Sequence, residues 1–297
     1  MFVSAQISTP GAVEALEQLR DPGRVLSRFQ AVINVETAQG RLLAVQVPGS
    51  ALGPFGLVLA QARVPEWPTP GTPASVQGRR LRIGPLAIDL GLARPAPAIE
   101  VIPPGKAWEP SRMATLLAPF TEQSAFGRIW AGSDDPNVGD PVEQAVRCLA
   151  AAVTMSPENL AAAEQAAVRI VGRGPGATPS GDDLLVGFLA AWMACRPGHP
   201  ASRRMVQALA EQAPTRTTRL AGEFYYHLAR GRLSEPLAIL LRAVTAGADG
   251  QVLAAARSLA GYGATSGLDT IAGVECYLQA CVRAWSRPTV DHTPGRE

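Results

Sequence analysis

The sequence is poor in the residues that most often mark a catalytic, metal or nucleic-acid site. Lys106 is the only lysine among 27 basic residues, and the three histidines, His199, His227 and His292, lie far apart in the chain. The net charge is only +2, so the composition offers no broad basic surface for a polyanion such as nucleic acid. Because no Ser-His-Asp or Cys-His set is recognisable, the sequence assigns no catalytic residue.

Cysteines and long apolar segments are also scarce. The four cysteines lie in apolar helical patterns without zinc or thioredoxin spacing, which predicts buried, reduced thiols at Cys148, Cys195, Cys276 and Cys281. The apolar runs are shorter than the roughly 20 residues that span a bilayer. The first residues lack the basic and hydrophobic regions of a signal peptide. These absences predict a cytoplasmic protein with no membrane partner.

Short alternating segments dominate the first third of the chain. Apolar and polar residues alternate over Phe29–Glu36 and again over Leu43–Val47, with Gln39-Gly40 placed as a hairpin turn between them. A short helix is expected over 12–19. Several short strands separated by glycine and proline predict a small barrel or sandwich.

Proline-rich breaks near residue 105 mark a change to helical patterns. The predicted helices beyond it cover 111–119, 142–155, 157–171, 182–195, 201–212, 218–230, 235–246, 250–260 and 268–285. The predicted fold is therefore α+β: a β-rich domain over 1–105, a mostly helical domain over 106–287 and a disordered polar tail over 288–297.

A glycine-rich segment, Val171–Asp183, precedes the most apolar stretch of the helical region and reads VGRGPGATPSGDD. Its glycines permit positive φ angles, and Ser180 with Asp183 three residues later forms a capping-box pattern at a helix start. The first-turn amides are then expected to be free for an anion. The segment lacks the lysine of a P-loop and follows a helix, not the strand of a dinucleotide fingerprint. The plain alternative is a capped helix after a rigid turn.

A second copy of the helix start lies near the C-terminal end. Ser266-Gly267-Leu268-Asp269 followed by Gly273 repeats Ser180-Gly181-Asp182-Asp183 followed by Gly187. Two similar helix starts suggest N-termini that converge on one place, although two unrelated caps would give the same pattern. A helical glycine one turn after each motif's last Asp is costly in isolation, which favours close approach of another helix or of a ligand.

These two motifs resemble the AllH-like proteins, a bacterial family. The resemblance rests on GxGPGxTPSGDD followed by an apolar helix, and on SGxDxxAG near the C-terminus. The family's namesake is a subunit of the catabolic oxamate carbamoyltransferase, which acts late in anaerobic allantoin breakdown and so in purine degradation. The resemblance implies an N-terminal β-rich part, a Thr217-Thr218 pair opening a middle helix, and hetero-oligomers with other carbamoyltransferase subunits. The family often has His and a bulky aromatic residue where this chain has Ala264 and Leu268.

A ligand site can be predicted from both motifs and the threonine pair. Its candidate residues are Gly174, Gly176, Thr178, Ser180, Gly181, Asp182, Asp183, Arg216, Thr217, Thr218, Ser266, Gly267 and Asp269. Amides, hydroxyls and a guanidinium group can hold an anionic ligand and stabilise an oxyanion without a covalent nucleophile. The resemblance implies carbamoyl phosphate or oxamate as that class of ligand.

The adjacent carboxylates complicate this prediction because they repel an anion. One resolution is that Asp183 and Asp269 cap their helices while Asp182 faces the ligand or a Mg²⁺ ion; no other cofactor or metal is predicted. Arg216 and Arg219 could serve the anion or pair with surface carboxylates. Two further functions stay open: a non-catalytic partner in a multi-subunit enzyme, and a free-standing small-molecule binding protein.

Overall fold

The alternating residues of the N-terminal region form eight strands that close into a barrel. The structure, a computed structural model, describes residues 1–64, 66–126, 141–155 and 159–285. The strands are β1 (Phe2–Ser8), β2 (Gly23–Arg28), β3 (Val32–Glu36), β4 (Leu42–Gln46), β5 (Gly56–Leu59), β6 (Pro73–Gln77), β7 (Arg80–Ile83) and β8 (Leu86–Asp89). Their order is β5-β4-β3-β2-β6-β7-β8-β1, and β1 also pairs with β5, which completes the ring.

The predicted hairpin between β3 and β4 is confirmed, with Gly40 at φ +79° in the turn. A short helix, α1 (Pro10–Gln18), starts after Thr9, whose hydroxyl accepts a hydrogen bond from the Ala12 amide at 3.2 Å. A two-residue strand, β9 (Arg94–Pro95), runs parallel to β1. The barrel interior is filled by inward-facing apolar side chains, among them Ile33, Val35, Leu43, Val45, Leu57, Leu59, Leu81, Ile83 and Ile88.

Helices follow the barrel wherever the structure describes the chain. They are α2 (Pro110–Thr121), α3 (Pro141–Met155), α4 (Leu160–Ile170), α5 (Ser180–Cys195), α6 (Pro200–Arg216), α7 (Arg219–Leu228), α8 (Glu235–Ala246), α9 (Asp249–Ala260) and α10 (Ser266–Trp285). The predicted α+β fold is confirmed. The predicted tail over 288–297 lies outside the described residues. None of the described helices has the length and hydropathy to cross a membrane.

The cysteine prediction is only partly right. Cys195, Cys276 and Cys281 are buried free thiols, whereas Cys148 is exposed. On α3 the core face passes through Val146, Leu149 and Val153, and at about 100° per residue Cys148 lies on the far side of the helix from that face.

Helix α7 joins the helical region to the barrel. Its Leu220 and Phe224 pack against residues of the barrel side, and the Phe224 ring lies 5.3 Å from the Phe55 ring in an edge-on arrangement. Leu228, one turn further on, packs in the helical core. The sequence pattern identifies these three residues as one apolar stripe of the bundle, but the structure divides that stripe between two cores.

Candidate functional site

The two Ser-Gly-x-Asp helix starts meet in the structure. The hydroxyls of Thr178 and Ser266 are hydrogen-bonded at 2.8 Å. A methyl group added to Gly187 of α5 would lie 2.0 Å from the Thr270 carbonyl oxygen of α10. One added to Gly273 would lie 1.9 Å from the Leu184 carbonyl oxygen of α5. The predicted convergence and the predicted close helix approach are therefore confirmed.

Each helix start packs against the end of the helix that precedes it, and the two contacts are alike. A methyl group on Gly181 would lie 2.3 Å from the Ile170 carbonyl oxygen at the end of α4. One on Gly267 would lie 1.8 Å from the Leu259 carbonyl oxygen near the end of α9. The segments α4–α5 and α9–α10 are thus two versions of one helix–loop–helix arrangement, packed against each other.

The prediction that Ser180 caps α5 is wrong. Pro179 occupies the cap position, and its φ of −55° and ψ of 141° end the loop without a side-chain hydrogen bond. The Gly181 amide donates to the Arg173 carbonyl at 2.8 Å, and the Asp182 amide donates to the Pro179 carbonyl at 2.9 Å.

The remaining first-turn amides are occupied in the same way. The Asp183 amide donates to the Pro179 carbonyl at 3.2 Å. In the second motif the Gly267 amide donates to Tyr262 and the Asp269 amide to Thr265, both at 2.9 Å. The expectation that the first-turn amides are free for an anion is therefore wrong, because the glycine loops fold back and supply carbonyl acceptors.

Asp182 joins the glycine loop to α7. Its side chain is 1% exposed and accepts hydrogen bonds from the Thr217 hydroxyl at 2.6 Å, the Tyr225 hydroxyl at 2.9 Å and the Gly172 amide at 3.1 Å. Burial raises the pKa of Asp182, and these three hydrogen bonds oppose the rise. Asp182 thus has an internal role where the sequence suggests a ligand-facing one.

Thr218 caps α7 by accepting a hydrogen bond from the Ala221 amide at 3.1 Å, so the Thr217-Thr218 pair opens a helix as predicted. Its hydroxyl also donates to the Ala177 carbonyl of the glycine loop. Together, Thr217 and Thr218 hold the glycine loop against α7. In the described parts of the chain, no three His, Cys, Asp or Glu side chains are grouped so that they could hold a metal ion.

Asp183 and Asp269 are the carboxyl groups that remain between the helix starts. Their side chains are 9% and 0% exposed, and the Oδ2 atom of each is buried without a hydrogen-bond partner among the described residues. The Asp269 Oδ1 atom accepts from the Ala125 amide at 3.2 Å. Each serine acts on the carboxyl group of the other motif. The Ser266 hydroxyl stabilises the charged form of Asp183, and the Ser180 hydroxyl stabilises the charged form of Asp269.

Both carboxyl groups are hard to ionise. Burial raises the pKa of Asp183 to about 8, the hydroxyls of Ser266 and Thr178 oppose the rise, and the charges of Asp269 and Asp182 add to it. Burial also raises the pKa of Asp269. Both carboxyl groups therefore keep their protons to a higher pH than an exposed aspartate does.

The loops that precede the two helix starts are exposed. Residues 173–177, which include the predicted Gly174 and Gly176, and residues 263–265 are exposed. Arg216 is also exposed and forms no ion pair within the described ranges, while its carbonyl lies beside Gly172. Arg219 instead pairs with Glu36 at 3.4 Å. It therefore forms the ion pair predicted as its alternative role, but with a buried carboxylate where a surface one was predicted.

Two cavities lie away from the motifs. One of about 450 Å³ lies between the barrel and the helices, with Thr9, Leu52 and Met193 in its wall. The other, of about 500 Å³, is lined by Arg24, Glu36 and other residues that include Arg219. The motif carboxyl groups line neither of them.

Two tyrosines of the site carry no sequence signal. The Tyr225 hydroxyl reaches Asp182 across 43 positions of sequence, and Tyr262 lies near Asp183, whose charge together with burial raises the pKa of Tyr262 to about 12. Neither tyrosine stands at a motif spacing, so only the packing of the helices reveals them.

Comparison with known families covers both regions of the chain. Residues 5–95 match the AllH family N-terminal domain. Residues 170–278 match the family described as oxamate carbamoyltransferase subunit AllH. The chain belongs to the AllH family. The match over 170–278 contains both AllH motifs and the threonine pair, and the word subunit indicates a multi-subunit complex. No solved structure matches the chain.

Proposed function

We propose that this AllH protein is a carbamoyltransferase subunit that binds a ligand of the carbamoyl phosphate or oxamate class between the starts of α5 and α10. The observation that carries the proposal is the pair of buried carboxyl groups, Asp183 and Asp269, each with an oxygen atom lacking a partner among the described residues. A buried polar atom without a partner costs about 1–3 kcal/mol. A matched pair of such atoms at two helix starts that follow exposed loops is therefore a candidate ligand site.

The site offers binding and orientation, with no covalent nucleophile assigned. Hydroxyl groups of Thr178, Ser180 and Ser266 lie around the two carboxyl groups. The exposed Arg216 provides positive charge for a phosphate or carboxylate end of the ligand. Holding two reactants in a fixed orientation can supply a large part of the rate enhancement of group transfer. The chemical identity of the ligand comes from the family alone.

A second function is favoured by the occupied helix amides. Because the first-turn amides of Gly181, Asp182 and Asp183 are satisfied within the chain, the paired helix starts also suit a non-catalytic subunit whose α5–α10 contact is purely structural. Such a subunit would support the activity of its partners without binding the substrate itself.

Thermal unfolding in the presence of ligand separates the two functions. The full chain, alone and with the other carbamoyltransferase subunits, is heated with carbamoyl phosphate or with oxamate. A ligand at 100-fold excess over its Kd should stabilise the folded state by about 2.7 kcal/mol and raise Tm by several degrees.

Asp183→Asn should reduce this rise in Tm to about half or less. Glu275→Gln is the matched control, because Glu275 is another buried acid of α10, has a raised pKa and lies one and a half turns beyond Asp269. The control should keep the rise. If neither ligand raises Tm in any of these assemblies, the ligand-binding proposal is wrong and the helix starts serve packing.

A further inference from the structure

The polar atoms left without partners between the two helix starts are hydrogen-bond acceptors. The amides of Gly181 and Gly267 are occupied by carbonyl oxygens of the loops. By contrast, the Oδ2 atoms of Asp183 and Asp269 are buried and lack a partner among the described residues. A ligand that brings N–H or O–H donors to both oxygens supplies the missing partners and favours the ionised form of the two carboxyl groups.

The two acceptors come from equivalent positions of the two motifs. Asp183 and Asp269 each follow a Ser-Gly pair, and the Thr178–Ser266 hydrogen bond of 2.8 Å holds the motifs together. The backbones of α5 and α10 approach closely at Gly187 and Gly273. Each glycine lies one turn after its motif's carboxyl group and so on the same helix face, which places the two carboxyl groups on the facing sides of the crossing. An NH2 group carries two hydrogens and can donate one to each carboxyl group.

We propose, building on the proposed function, that Asp183 and Asp269 jointly bind the NH2 group of the ligand. The site thereby selects amides and carbamoyl compounds over compounds of the same shape that carry a methyl group instead. The anionic end of the ligand points away from the carboxyl groups, toward the exposed loops and Arg216, because like charges repel. This orientation resolves the conflict between two buried acids and an anionic ligand.

Two pairs of probes test the selection directly. Acetyl phosphate has a methyl group where carbamoyl phosphate has NH2, and pyruvate has a methyl group where oxamate has NH2. Isothermal titration calorimetry on the full chain, in the assembly that binds, gives Kd for each probe. The methyl probe lacks the hydrogen bonds to the buried carboxyl groups, so in at least one pair it should bind about 10- to 100-fold more weakly than the NH2 probe.

Matched variants connect the selection to these residues. Asp183→Asn and Asp269→Asn each place an NH2 donor where a carboxyl group accepts. With either substitution, the Kd values of the NH2 probe and the methyl probe of a pair should differ by less than about threefold. Glu275→Gln should leave the preference unchanged. The comparison of probes on the wild type needs no variant and decides the question even where a variant does not fold.

The outcomes separate this inference from the proposed function. Equal binding of the NH2 and methyl members by the wild type overturns the inference and leaves the proposed function standing. A preference that persists in both Asn variants also overturns it. If no member of either pair binds to the chain or its assemblies, both the proposed function and the inference are wrong.

Discussion

Asp182 and Asp183 are neighbours in the sequence, yet their carboxyl groups have opposite surroundings. Asp182 accepts hydrogen bonds from Thr217, Tyr225 and Gly172, whereas an oxygen of Asp183 has no partner among the described residues. Successive residues of a helix point about 100° apart. One carboxyl group therefore reaches α7 and the other reaches α10.

Removal of the Asp182 carboxylate should destabilise the fold. Asp182→Ala leaves three donors without their acceptor at a buried position, for which we expect a loss of about 3 kcal/mol or more in the free energy of unfolding. Tyr225→Phe removes one of these donors and should cost about 1–2 kcal/mol. Urea denaturation measures both, and a loss below 1 kcal/mol for Asp182→Ala would contradict the anchoring role.

Stability should fall as pH rises through the titration of the buried acids. The folded-state pKa of Asp183 is about 8 and that of Glu275 about 7, both raised by burial. Between the ordinary carboxyl pKa of about 4 and these values, the folded state binds more protons than the unfolded state. Each group can therefore contribute a loss of up to about 1.4 kcal/mol per pH unit in that window.

Neutral variants provide the check on this pH dependence. Between pH 5 and pH 8, the free energy of unfolding of Asp183→Asn and that of Glu275→Gln should each rise relative to the wild type. The rise for Asp183→Asn should continue to a higher pH than the rise for Glu275→Gln. Urea titrations at several pH values measure the difference. A variant that loses stability relative to the wild type as pH rises would show that the carboxyl group is ionised in the folded protein.

At the scale of elements, α5 and α10 form the centre of the helical region. Their backbones approach at Gly187 and Gly273, where a side chain would meet a carbonyl oxygen of the opposite helix. This close contact brings the helix starts together and so sets the separation of Asp183 and Asp269. The site is thus a consequence of helix packing.

A methyl group at this crossing should separate the helices. Gly273→Ala places a carbon atom 1.9 Å from the Leu184 carbonyl oxygen, and we expect a loss of about 1–3 kcal/mol in the free energy of unfolding. Gly222→Ala on α7 is the control, because the added atom meets only the Ala213 side chain at 3.8 Å. The control should be neutral or stabilise by up to about 1 kcal/mol. Equal effects of the two substitutions would contradict the close crossing.

The sequence predicts the elements better than their contacts. Alternation and helical periodicity are local, and they identified β3, β4 and the helices, whereas they gave no prediction for β1, β2, β5 or β6. The repeated motif also predicted the convergence of α5 and α10. Local patterns could not show that Pro179 takes the cap position, or that the loop carbonyl of Arg173 reaches the Gly181 amide. Those features depend on how the glycine loop folds back.

At the scale of the whole molecule, α7 couples the site to the barrel. One side of α7 reaches the glycine loop through Tyr225, and the other packs on the barrel through Phe224. Beside Phe224, the buried Glu223 lies 3.3 Å from the Arg41 guanidinium, and the same distance separates Glu223 from the His227 ring. Glu223 is therefore a buried charge whose partners come from both parts of the chain.

Loss of the Arg41 charge should weaken the attachment of the barrel to α7. Arg41→Ala leaves Glu223 buried without its guanidinium partner, which should cost about 3 kcal/mol or more. Arg24→Ala is the control, because Arg24 is mostly exposed in its pair with Glu36 and should cost at most about 1 kcal/mol. Differential scanning calorimetry measures both. Equal losses would contradict a buried interface.

The domain boundary near residue 105 stays a prediction.

A double-mutant cycle on ligand binding tests the central claim, that the two AllH motifs form one site. The Kd for carbamoyl phosphate is measured by calorimetry for the wild type, Asp183→Asn, Asp269→Asn and the double variant, with circular dichroism to establish that each is folded. If both carboxyl groups hold one NH2 group, the effects of the two substitutions are coupled. The Kd of the double variant should then be at most about threefold higher than the Kd of the weaker-binding single variant. Two independent losses that add in free energy, or unchanged binding in both single variants, would contradict the claim.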